Sequence, residues 1–104
     1  MKIQFRISRN QLMVWLYFLE TRWIEPGKKG SAYSRMLYHA LSDLLHKLKV
    51  QSVIQKTDYK FSISAVSGLA FMVFCEYASK YPLDRADEAI INDLIGKIDK
   101  QTIQ

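Results

Sequence analysis

Lys2-Ile3-Gln4-Phe5-Arg6-Ile7-Ser8-Arg9-Asn10-Gln11-Leu12 is the stretch on which the reading of this chain turns. Polar and apolar residues alternate through Ile7, so a strand places Ile3, Phe5 and Ile7 on one face and Lys2, Gln4 and Arg6 on the other. Ser8 and Gln11 have capping-box spacing, with the Ser8 hydroxyl accepting from the Gln11 amide, and Ile7 and Leu12 occupy the hydrophobic-staple positions. A half-buried strand that runs directly into a helix is therefore expected. The helix body, Leu12 to Glu25, is apolar on nearly every side through Leu19, as suits a helix central to a core. Pro26-Gly27 should end it.

The pattern returns 56 residues later. Phe5 meets Phe61, Ile7 meets Ile63, Ser8 meets Ser64, Phe18 meets Phe74, Glu20 meets Glu76 and Pro26 meets Pro82. These identities fall at matching roles of strand core, helix cap, helix core and helix stop, which favours a tandem strand-helix-helix repeat. Two ordinary units of similar pattern are the alternative. An offset of 53 after the prolines aligns Ser31 with Asp84, Leu37 with Ile90, Leu41 with Leu94 and Leu45 with Ile98.

Within the first half, Ser31 can cap a helix whose apolar positions are Tyr33, Leu37, Leu41, Leu44, Leu45 and Leu48. Val50 to Gln55 is expected as a short strand that turns at Thr57-Asp58 into a second strand carrying Tyr59, Phe61 and Ile63. A third helix is expected from Ala65 to Lys80, stopped by Tyr81-Pro82. Asp84 should cap a fourth, with Asp87 and Glu88 in its first turn and Ala86, Ile90, Leu94 and Ile98 as its buried stripe.

The expected fold is α+β, with four helices and a small two- or three-stranded antiparallel sheet in one domain, 1–104. The repeat halves would be 1–52 and 53–104, related by pseudo-twofold symmetry. The strands would lie antiparallel at the centre, with both apolar helices across one sheet face. So narrow a sheet has an exposed edge, expected to be covered by a helix or paired with a second copy, and a homodimer is the partner expectation.

At 104 residues, 49% apolar and 24% charged, the chain can bury a core. Lone Cys75 lies in an apolar run and suits a reducing compartment, hence a cytoplasmic location. Lys2, Arg6 and Arg9 precede an apolar stretch in the manner of a signal peptide. Glu20-Thr21-Arg22-Trp23 then stands where small residues should mark cleavage, and the stretch is too short to span a bilayer, so no membrane association is expected. Charge is uneven. Residues 1–52 carry nine Lys/Arg and three Asp/Glu, giving 9 − 3 = +6; residues 53–104 carry six and seven, giving 6 − 7 = −1.

Few constellations suggest chemistry. His39, Asp43 and His46 share one helix face at ligand spacing, but without a fourth ligand they are weighed as a solvated face, and no metal or cofactor is expected. Glu20 and Glu76 could face each other as an acid/base pair, though helix ends reaching water explain them better. No nucleophile-base set is evident, so the chain is expected not to be an enzyme. Gly27-Lys28-Lys29-Gly30-Ser31 lacks P-loop spacing. With Arg22, Arg35, Lys47 and Lys49, however, Lys28 and Lys29 could form a basic patch, flanked by the stacking faces of Trp23, Tyr33 and Tyr38. The expected function is a small non-catalytic interaction or scaffolding domain that self-associates. The alternative is a nucleic-acid-binding accessory protein using that patch.

Overall fold

A computed structural model describes residues 2–21, 32–78 and 84–102. Its elements in order are β1 (Lys2–Ser8), α1 (Arg9–Thr21), α2 (Ala32–Val53), β2 (Asp58–Ser64), α3 (Ala65–Ala78) and α4 (Arg85–Thr102). The fold is α+β, and the order strand, helix, helix occurs twice.

Each strand passes into its helix without a loop, and the local chemistry explains why. The Ser8 amide donates to Gln11 Oε1 at 2.9 Å while the Gln11 amide donates to Ser8 Oγ at 3.2 Å, closing the capping box. At the second junction the Ser67 amide donates to Ser64 Oγ at 3.1 Å, so Ser64 caps α3. Asp84 caps α4, its Oδ1 accepting from the Ala86 amide at 3.1 Å. The expected cap at Ser31 and the stops at Pro26-Gly27 and Tyr81-Pro82 lie outside the described residues.

β1 and β2 form a two-stranded antiparallel sheet in which Phe5 faces Phe61, Ile3 faces Ile63 and Ile7 faces Tyr59. Among the described residues there is no third strand. Val50 to Val53 continue α2, contrary to the β-type expectation for Val50 to Gln55. Leu44 and Leu48 are buried on α2 and carry the helix past the β-branched residues, which project into water; Val53 is 79% exposed. The Ser52 hydroxyl donates back to the Lys49 carbonyl at 2.7 Å, and the helix closes with the Ile54 amide on the Gln51 carbonyl at 3.1 Å.

α1 and α3 both pack across the two strands, α4 packs along β1 and against α1 and α3, and α2 packs on α1 and α3 away from the sheet. One cluster of buried side chains joins all six elements. At its centre the Trp15 ring lies 5.0 Å from Phe5 and 5.4 Å from Phe71, with Phe18 edge-on to Phe71 at 6.1 Å. α1 and α3 are not apolar cores on all sides. Met13 and Tyr17 on α1, and Val66 and Leu69 on α3, stand exposed. Tyr33 is exposed too, so the buried part of the α2 stripe begins further along; on α4, Ile91 is buried and Ala86 exposed. Gly68 lets α3 sit close on the sheet, because a Cβ there would meet Ile3 Cδ1 and come within 3.2 Å of Ile98 Cγ2.

The α2–β2 connection is tied down by one hydroxyl. Tyr59 is buried, and its O–H donates to the Ile54 carbonyl at 2.5 Å while accepting from the Lys56 amide at 3.3 Å and from Arg9 Nη1. The Arg9 amide adds a bond to the Thr57 carbonyl at 3.2 Å.

Candidate nucleic-acid interface

Because strand side chains alternate, burial of Ile3, Phe5, Ile7, Tyr59 and Ile63 under the helices turns outward the even-numbered side chains of the ribbon that precede the capping serines Ser8 and Ser64. On β1 these are Lys2, Gln4 and Arg6, all exposed; on β2 they are Asp58, Lys60 and Ser62, the serine half-buried. None of the six is apolar. Their charge is +3 from Lys2, Arg6 and Lys60 and −1 from Asp58, a surplus of +2 on one small face.

The register places Arg6 directly opposite Lys60. Like charges across a strand pair repel. Arg6 has Asp58 at 3.9 Å, and both side chains are well exposed, so this ion pair offsets little. The two cations are held side by side by a backbone whose other face is locked in the core.

The ribbon's outer edges differ. The Gln4 amide donates to Gln101 Oε1 at 2.8 Å, and Gln101 Nε2 donates to the Gln4 carbonyl at 2.8 Å. The carboxamide of α4 thus pairs with β1 as the peptide group of a third strand would. In an antiparallel pair, residues facing one another share their outward or inward hydrogen-bonding direction, so Ser62 and, two residues on, Lys60 turn their backbone groups to the outer edge of β2. Among the described residues nothing pairs with them there.

Of the basic patch expected from sequence, Arg35, Lys47 and Lys49 fall on described residues, all three on α2. Arg22, Lys28, Lys29 and Trp23 lie outside the described residues. Arg35 and Lys49 are exposed on α2 but about 21 Å apart along the axis, and Lys47 is turned about 120° from Arg35. Lys49 lies 3.7 Å from Glu20, which therefore has a partner other than Glu76. Tyr38 is half-buried with its ring 5.8 Å from His39.

Among the described residues no three His, Cys, Asp or Glu side chains converge as metal ligands, and His39, Asp43 and His46 remain an exposed helix face. Cys75 packs against the core; loss of solvation there pushes its thiol up to about 12, which keeps it protonated and unreactive at neutral pH. No helix among the described residues is long and apolar enough to cross a membrane.

In sequence, Lys2, Gln4 and Arg6 read as the outer side of a strand, with Lys2 and Arg6 also resembling a signal-peptide start, and none of them stands out as a binding residue. The available signal was the pairing of that side with Lys60 through the Phe5–Phe61 match, which brings a third cation onto the same face. Compared with known proteins, the chain matches no family model, no curated protein and no solved structure.

Proposed function

We propose that this chain is a non-catalytic nucleic-acid-binding module that lays the outward face of its β1–β2 ribbon in the major groove of duplex DNA. The observation that carries the reading is the two-stranded ribbon itself, seated on a helical bed, with Lys2, Gln4, Arg6, Lys60 and Ser62 facing away from the core. The B-form major groove is wide enough to admit a two-stranded ribbon, whereas the major groove of A-form RNA is too deep and narrow for side chains to read. Arginine and lysine suit the O6 and N7 acceptors of guanine, and glutamine pairs with adenine N6 and N7. The closeness of Arg6 and Lys60, only weakly offset by the exposed Arg6–Asp58 pair, gains from an acceptor-rich partner. A net charge of +5 adds attraction to the phosphate backbone. The half-buried, protonated Cys75 suits a cytoplasmic location.

Fluorescence anisotropy with a labelled duplex tests the reading. Replacing Arg6 and Lys60 together by alanine is expected to weaken binding at least about tenfold, equivalent to about 1.4 kcal/mol, and to flatten its salt dependence. Replacing Arg35, Lys47 and Lys49 should leave it nearly unchanged. The reverse result moves the interface to α2, and no duplex binding at low salt ends the proposal.

A second reading, self-association, is favoured by the unpaired outer edge of β2. A second copy adding there would lengthen the sheet through the backbone groups of Lys60 and Ser62, while Gln101 closes the equivalent route at β1.

A further inference from the structure

The two strands of the ribbon do not present the same residues. With Phe5 opposite Phe61, the local twofold axis of the strand pair passes between these two residues and carries each position of β1 onto the one 56 residues later. Lys2 thereby corresponds to Asp58, Gln4 to Lys60 and Arg6 to Ser62. Each of these three pairs differs in charge, in donor and acceptor pattern, or in both, and the identical fourth pair, Ser8 and Ser64, is taken up in capping α1 and α3. If a duplex were palindromic about that axis, its two halves would offer identical base edges to non-identical side chains, and one half would always be met by the wrong set.

We propose, resting on the DNA-binding reading above, that this ribbon selects a non-palindromic duplex site. The β1 half-site carries an adenine for Gln4 and a guanine for Arg6. The β2 half-site carries a guanine for Lys60 and is read weakly at Ser62, whose short hydroxyl accepts or donates to several bases. Asp58 adds a further difference: its carboxylate disfavours phosphate where Lys2 attracts it. A good bidentate pair is worth about 1–3 kcal/mol of discrimination, enough for Gln4 and Arg6 to impose a base preference that β2 does not mirror.

Selection of duplexes from a randomised library by the full chain is the test. The expected consensus has no twofold symmetry. A triple variant, Asp58→Lys, Lys60→Gln and Ser62→Arg, gives β2 the outward residues of β1, and its consensus should become palindromic. The substituted positions are exposed or half-buried, and the wild-type consensus is informative whether or not the variant folds. A palindromic wild-type consensus overturns this inference and leaves DNA binding standing, as does an unchanged asymmetry in a folded triple variant. Failure to enrich any duplex overturns the binding reading, and this inference with it.

Discussion

Tyr59 shows how one polar atom can organise a connection. Its ring is buried in the core, while its hydroxyl collects the Ile54 carbonyl, the Lys56 amide and the Arg9 guanidinium where α2 gives way to β2. Tyr59→Phe keeps the ring and leaves those groups without their shared partner, so a loss of about 1–3 kcal/mol is expected in chemical denaturation. An unchanged midpoint would mean that water replaces the hydroxyl at no cost. Trp15 is the opposite case: its indole Nε1 is buried with no hydrogen-bond partner among the described residues, and ring packing is what holds it. Alternation at Ile3, Phe5, Ile7 and capping at Ser8 and Gln11 were legible in sequence because they depend on immediate neighbours. The role of the Tyr59 hydroxyl was not, since Arg9 reaches it across 50 positions of chain.

At the scale of elements, the least legible segment was the end of α2. Val50 and Val53 have the branching of strand residues, and local preference alone favours β there. Packing of Leu44 and Leu48 overrides it, because a helix already anchored in the core extends at little cost per added residue. The closure of β1 by Gln101 was likewise hidden, for it joins positions 97 apart. Gln101→Ala should leave the sheet intact, with a stability loss of about 0.5–1.5 kcal/mol. The sharper readout is hydrogen exchange at the Gln4 amide, which should speed up selectively. If that amide exchanges no faster in the variant, Gln101 does not close the edge in solution.

At the scale of the molecule, the antiparallel centre and the two helices laid across one sheet face were legible because the apolar positions recur with matching spacing in both halves. The candidate surface was not. Positive charge read along the chain points to Arg22, Lys28, Lys29, Arg35, Lys47 and Lys49, whereas the fold also gathers Lys2, Arg6 and Lys60 from opposite halves onto one face. Self-association is a question at this scale too. If copies join at β2, light scattering at high concentration should give twice the monomer mass, and Lys60→Pro, which removes the edge amide, should return it to one. A monomer mass throughout removes that reading.

Strand pairing at the heart of this fold occurs inside a single polypeptide. A ribbon assembled from two separate molecules would come apart on dilution, by mass action. Here α1, α2 and the Ile54–Thr57 segment tether β2 to β1. The surface that we propose to meet DNA is therefore expected to be as complete at a few copies per cell as at a few thousand.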